Sequence, residues 1–269
     1  MERMSQPFSE AEVKRIMLQL LSAVSYMHSR WILHRDLKMS NVLYTDKGDI
    51  KLAGDSPIIF LCLLLPLKLA RGADFGLARP FGDASAKLTP RVVTLWYRCP
   101  ELLFGCSTYA TPMDMWAVGC IFAELLLHAP LIPGGTELKQ INLMCHLLGS
   151  PNAKIWPGFQ DLSAVRSGMR LPDQPFNNLS RRFPRLSASG LDLLNQFLTY
   201  DPARRISAAA ALQHPYFDES PKAKPSNEMP TFPQFNGLQL RATKRKADAV
   251  AEGGGSGAAR SKQDHGAKK

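Results

Sequence analysis

His34-Arg35-Asp36-Leu37-Lys38-Met39-Ser40-Asn41 is the stretch from which the rest of the chain is read. It offers a carboxylate at Asp36, an ammonium two positions on at Lys38 and an amide three beyond that at Asn41. One short loop therefore presents groups suited to a hydroxyl proton, a phosphate and a divalent cation. A surface loop of mixed charge has the same composition, so the flanking stretches must discriminate between the two.

Upstream, Ser9-Glu10-Ala11-Glu12 is a capping box: the Ser9 hydroxyl accepts the Glu12 N–H and the Glu12 carboxylate accepts the Ser9 N–H. Val13, Ile16, Met17, Leu20, Leu21, Val24 and Met27 then recur at three- and four-residue intervals, which predicts a helix with one apolar face ending near His28. Downstream, Val42-Leu43-Tyr44 and Ile50-Lys51-Leu52 are joined by Thr45-Asp46-Lys47-Gly48-Asp49, the pattern of a hairpin whose glycine supplies a positive φ. Asp114 to Leu127 is apolar nearly all round, as a helix inside a domain must be. Pro130 to Arg185 is rich in Pro and Gly, with one helical stretch from Glu137 to Leu148, and Leu191 to Thr199 reads as a further amphipathic helix.

With 269 residues, 45% hydrophobic and 21% charged, the chain is long enough for one sizeable domain and a tail. Its five cysteines show no C-x-x-C pair and there is no N-terminal signal peptide, which points to a reducing, intracellular compartment. Of the net charge of +10, half comes from Gly237–Lys269, where eight Lys/Arg face three Asp/Glu. The remainder is only mildly basic, so no nucleic-acid surface is expected. The segment 237–269 is Gly-, Ala- and Lys-rich, which predicts a disordered basic tail. Within it, Lys244-Arg245-Lys246 is a candidate nuclear-import signal, so the expected location is the nucleus, otherwise the cytoplasm.

Two further stretches carry chemistry. Asp74-Phe75-Gly76-Leu77-Ala78-Arg79 holds the D-F-G triplet, and Leu88-Thr89-Pro90-Arg91-Val92-Val93-Thr94-Leu95-Trp96-Tyr97-Arg98-Cys99-Pro100-Glu101 ends in a variant of A-P-E with cysteine for alanine. With the opening loop, H-R-D-L-x-x-x-N, these motifs in this order resemble the protein kinases and, within them, the cyclin-dependent family. Trp31-Ile32-Leu33 and Met229-Pro230-Thr231-Phe232-Pro233 point to its PITSLRE/PISSLRE branch. Residues 54–73 depart from the family pattern, since Lys51-Leu52-Ala53 would otherwise run directly into Asp74-Phe75-Gly76. The apolar run Ile58 to Leu67 in that insertion is about half the roughly 20 residues a membrane span needs, so no membrane role is expected. A retained intron is the preferred explanation of the insertion, a functional lid the alternative.

The resemblance implies ATP and Mg²⁺ as cofactors and Ser/Thr residues of proteins, followed by proline, as substrates. It implies Asp36 as the acceptor of the hydroxyl proton, Lys38 as a stabiliser of phosphoryl charge, and Asn41 and Asp74 as magnesium ligands. Ser40 and Leu43 would join the nucleotide site, Leu43 as part of the adenine floor. Thr89 matches the activating phosphorylation site, with Arg35 and Arg79 to grip its phosphate. Val92, Val93, Thr94 and Arg98 match the substrate-proline region. Asp114 would anchor the backbone at His34 and Arg35, and Arg205 would pair with Glu101. No G-x-G-x-x-G and no V-A-I-K occurs in the chain. The expected fold is thus mainly α, a kinase-like C-terminal lobe over residues 1–236 with a small β-hairpin at the active site and the N-terminal lobe absent. The cyclin partner usual in the family would lack its αC docking helix, and the chain alone would be inactive. The rival expectation is a non-catalytic, kinase-derived protein that docks substrates or partners.

Overall fold

Helix α1 (Glu10–His28) begins where the capping box predicts, with the Ser9 N–H donating to Glu12 Oε2 at 2.8 Å. The computed structural model describes residues 7–45, 47–53, 94–106 and 110–231. The predicted sites at Asp74, Arg79, Thr89, Val92 and Val93, the insertion 54–73 and the tail 237–269 lie outside the described residues. All seven apolar residues of the predicted stripe on α1 are buried. So is Lys14, which no periodicity argument would place inside. Its ammonium donates to the Glu219 carbonyl at 3.1 Å, lies between the Glu10 and Glu219 carboxylates, and sits 4.4 Å above the Tyr216 ring. A buried cation needs such an enclosure, because desolvating it unpaired is costly.

After the catalytic-type loop, β1 (Val42–Tyr44) and β2 (Ile50–Leu52) pair antiparallel, with Val42 opposite Leu52 and Tyr44 opposite Ile50. Gly48 takes φ +76° in the connecting turn, and a Cβ there would meet Met229 and the Ser226 carbonyl at 2.5 Å. Glycine is thus required both by the turn and by the segment lying over it. That segment, 219–231, returns to the start of the chain. The Lys224 N–H donates to the Ala11 carbonyl at 3.0 Å, Lys224 Nζ reaches Glu12 at 2.8 Å, and Tyr44 Oη donates to the Pro230 carbonyl at 2.8 Å.

A short α2 (Pro100–Leu103), with proline at its first turn, precedes α3 (Pro112–Leu127). In α3, every residue from Met113 to Leu125 is buried, so this helix is the centre of the domain. α4 (Glu137–Leu148) starts at Thr136, whose hydroxyl accepts the Lys139 N–H. The Pro- and Gly-rich region also forms two one-turn helices that periodicity cannot detect, α5 (Ser163–Arg166) and α6 (Leu179–Arg182). α7 (Ala188–Phe197) begins three residues earlier than predicted, because Ser187 caps it by accepting the Gly190 N–H at 3.0 Å. α8 (Ala208–Leu212) completes the α-helices among the described residues and packs on α1. α3 lies between α1 and α7. At its contact with α7, Gly119 lets the helices close, since a Cβ would stand 2.6 Å from Phe197 Cβ. The described residues up to Pro230 form one compact unit, mainly helical with a two-stranded sheet. No helix among them is long and apolar enough to cross a membrane.

Candidate active site

The loop 34–41 hangs between the end of α1 and β1, and α3 fixes its entrance. Asp114, buried near the start of α3, accepts the His34 N–H at Oδ2 (2.9 Å) and the Arg35 N–H at Oδ1 (3.0 Å). His28, from the last turn of α1, reaches the same Oδ2 at 3.0 Å. Arg35 has φ +63°, a left-handed conformation that a residue with a Cβ keeps only where its surroundings over-determine it. Asp114, holding two successive amides, is that determinant. Burial alone would push the Asp114 carboxyl up, but the hydrogen bond and charge of His28 and the His34 contacts hold it below the usual carboxylate range.

His34 is also buried, and its ring joins two segments. The Asp36 N–H donates to Nδ1 at 3.3 Å, so Nε2 carries the proton and donates to the Ala53 carbonyl at 3.1 Å. Burial lowers its pKa below the ordinary histidine value, in keeping with a neutral ring. The loop is thereby tied to the end of β2.

Three of the four predicted catalytic residues meet here. Lys38 Nζ donates to Asp36 Oδ2 at 2.7 Å, and Asn41 Nδ2 donates to the Asp36 carbonyl at 2.7 Å and to Asp36 Oδ2 at 3.2 Å. Thr94 Oγ1 approaches the other carboxylate oxygen, Asp36 Oδ1, at 3.4 Å. Both side-chain contacts of Asn41 to Asp36 run from its nitrogen, which leaves Oδ1 as the hard oxygen suited to Mg²⁺. Ser40 is exposed on the 3₁₀ turn Met39–Asn41, and Leu43 is 51% exposed on β1. An exposed leucine beside the loop fits the flat face of a base. The fourth predicted residue, Asp74, lies outside the described residues, and among those described no cluster of three or more His, Cys, Asp or Glu forms a metal site.

Away from the loop, Arg98 Nη1 donates to Glu137 Oε1 at 2.5 Å, and Arg205 grips Glu101 through both terminal nitrogens at 2.8 Å. The Arg205 pair is buried, and the guanidinium also donates to the Thr199, Pro112 and Tyr200 carbonyls. Burial by itself would lower the Arg205 pKa, but Glu101 raises it, so the guanidinium stays charged.

Two contacts at the site were not anticipated. One is His28 on Asp114. The other is Tyr97, whose hydroxyl donates to Glu124 Oε2 at 2.6 Å in the interior. Neither has a local sequence signal, because the partners are 86 and 27 positions apart.

The protein kinase domain family matches residues 1–217. Cyclin-dependent kinase 10 of Mus musculus is 48% identical over 253 residues, which cover 94% of this chain and 63% of that protein. Cyclin-dependent kinase 11B of Mus musculus is 46% identical over 255 residues, covering 94% of this chain and 30% of that protein. The yeast RNA Pol II CTD kinase CTDK-1 complex contains a chain that superposes with a TM-score of 0.69 at 36% identity, covering 82% of this chain and 67% of that one. The chain thus spans less than two thirds of the length of either mouse relative.

These matches correct one expectation. A C-terminal lobe with the N-terminal lobe absent is not what they support: the family that matches is the protein kinase domain, and the solved neighbour is a full kinase. The reason is that two short missing motifs report only which positions a stretch of chain includes. They do not define a separate fold.

Proposed function

The chain belongs to the protein kinase family, among the cyclin-dependent kinases of PITSLRE type, and from that premise we propose that the whole protein transfers the γ-phosphate of ATP to serine or threonine in proteins, at sites followed by proline. The observation that carries the proposal is the convergence of Lys38, Asn41 and Thr94 on the two oxygens of Asp36. Asp36 receives the proton of the substrate hydroxyl, and its orientation by three neighbours is what general-base work requires. Lys38 moves from Asp36 to the phosphoryl oxygens as negative charge develops there. Asn41 and Asp74 would hold Mg²⁺, which would supply positive charge to neutralise the ATP phosphates. Ser40 lines the phosphate side and Leu43 the adenine side of the nucleotide site. Thr89, once phosphorylated, is gripped by Arg35 and Arg79. Val92, Val93 and Arg98 shape the pocket for the proline.

Turnover is assigned to the protein together with a cyclin partner, as in the cyclin-dependent kinases it resembles. A nuclear location is supported by Lys244-Arg245-Lys246 and by the polymerase-directed kinase among the structural neighbours. The test is a transfer assay with Mg-ATP and a pair of peptides differing only at the residue after serine. The Ser-Pro peptide should be phosphorylated at least about tenfold faster than the Ser-Ala peptide, one such factor being about 1.4 kcal/mol of discrimination. Equal rates would remove the proline specificity, and absence of transfer to either would remove the kinase reading.

A further inference from the structure

The segment 219–231 lies over α1 and the hairpin without joining the sheet, held at single points. One of those points is Ser226, whose carbonyl fits over Gly48 only because the glycine has no Cβ. Arg15, one turn before Gln19 on α1, donates from Nη2 to Ser226 Oγ, and that hydroxyl donates to Asp49 Oδ1 at 3.3 Å. Gln19 in turn holds the hairpin, donating to the Gly48 carbonyl at 3.3 Å and accepting the Ile50 N–H at 2.9 Å. Ser226 therefore stands where α1, the hairpin and the returning segment meet. Arg15 is poorly satisfied there: its Nε is buried and finds no acceptor among the described residues. A neutral hydroxyl is a weak counterpart for a guanidinium, whose planar fork suits two anionic oxygens at once.

We propose that Ser226 is a phosphorylation site whose phosphate is gripped by Nε and Nη2 of Arg15, clamping segment 219–231 to α1. This goes beyond the activity assigned to Asp36 and does not depend on it. Asn227 follows Ser226, so the proline preference proposed for this chain excludes the site as its own substrate, and another protein kinase modifies it. Ser226 Oγ attacks the γ-phosphorus of a nucleoside triphosphate; the Oγ–P bond forms as the bond to the nucleoside diphosphate breaks, and the hydroxyl proton passes to that enzyme's base. Ser226 is half-buried on a one-turn 3₁₀ helix, Ser226–Glu228, with Pro225, Asn227 and Glu228 exposed, and lifting it for modification breaks no ladder of strand bonds. The product adds about −1.5 to −2 charge at pH 7 and three acceptor oxygens. Of the charges around it, Lys224 and Glu12 pair with each other at 2.8 Å, while Lys47 and Asp49 flank Gly48 in the hairpin. Arg15 is the cation already in contact with Oγ. Asp49 loses its donor when Oγ is esterified, and like charge turns it away, so the segment passes from a hold shared with the hairpin to one on α1.

The test uses the whole protein carrying phosphoserine at 226, installed during synthesis, beside the unmodified protein. Its ³¹P resonance should titrate about 1 pH unit below the ordinary second ionisation near 6, because the guanidinium favours the dianion, and should return to about 6 in Arg15→Gln. Hydrogen exchange of the Lys224 amide, which donates to the Ala11 carbonyl, should slow about tenfold on phosphorylation, the scale of one hydrogen bond to a charged group. Arg15→Gln should abolish the slowing, Arg15→Lys should keep part of it, and Asp49→Asn should deepen it. If Arg15→Gln does not fold, the phosphorylated and unmodified wild-type proteins decide between them. Titration at or above about 6, or Lys224 exchange that is unchanged or faster, would overturn the clamp. Mass spectrometry of the protein isolated from its own cells should find the phosphate on Ser226, and its absence would overturn the site. None of these readouts uses transfer activity, so a failure of the kinase reading is distinguishable from a failure here.

Discussion

Glu101 meets Arg205 at 2.8 Å with side chains 5% and 0% exposed, whereas Asp36 meets Lys38 at 2.7 Å with 22% and 26% exposed. The contacts have nearly the same length, but their surroundings differ. Arg205 has further acceptors on three backbone carbonyls and no route to solvent, so the pair is fixed and links α2 to the segment after α7. Asp36 and Lys38 face the open side of the loop, where a substrate can separate them. On the proposed reading, depth rather than distance divides the structural charge pair from the one assigned to catalysis.

The comparison can be broken from the buried side first. Arg205→Met leaves the Glu101 carboxyl unpaired in the interior, and should cost about 3–5 kcal/mol in denaturant unfolding. Adding Glu101→Leu should recover much of that loss, because the double change removes both charges; a double variant no better than the single one would show that packing, not desolvation, sets the cost.

A smaller effect is expected at the contact of α3 with α7. Gly119→Ala places a Cβ 2.6 Å from Phe197 Cβ. Overpacking of this kind costs about 1–3 kcal/mol, against a helix-propensity gain of about 1, so a modest net loss should appear as a lower melting temperature.

Acid titration separates the two carboxylates of α3. Asp114 is held below its ordinary pKa, so its stabilisation is complete above the usual aspartate range and is lost as pH falls through its folded value. Glu124 is raised, chiefly by burial, so its contribution is complete below the usual glutamate range and declines as pH rises through its folded value. Asp114→Asn should therefore flatten the acid loss of stability relative to wild type, and Glu124→Gln should steepen it. Parallel curves for all three proteins would contradict the signs.

The smallest stability effect is expected at the site itself. Asp36→Asn should change the unfolding free energy by about 1 kcal/mol or less, as partly exposed pairs do. A loss comparable to that of Arg205→Met would erase the distinction between the two pairs.

What could be read from the sequence follows the range of the interaction. The capping box and stripe of α1, the hairpin with Gly48 at its turn and the all-round apolarity of α3 are local patterns, and the structure contains each. The loop residues Asp36, Lys38 and Asn41 lie within six positions, so their meeting was also readable. The enclosure of Lys14 was not, because Glu219 and Tyr216 come from the other end of the domain. For the same reason the return of segment 219–231 over α1 and the hairpin leaves no trace in spacing or composition, and neither does the Tyr97–Glu124 contact. The one-turn helices α5 and α6 are too short to show a period. The expectation of an absent N-terminal lobe fails for a different reason, since motifs missing from a stretch of chain do not define its fold.

The central claim is that the loop 34–41 is a phosphotransfer site organised on Asp36. Its most direct test is initial-rate transfer of labelled γ-phosphate to a Ser-Pro peptide by the whole protein and by Asp36→Asn, with thermal unfolding recorded for both. The account predicts transfer by wild type, a rate lower by about 10²- to 10⁴-fold in Asp36→Asn, and melting temperatures that nearly coincide. Equal rates in the two proteins, or a rate loss that only follows unfolding, would contradict it.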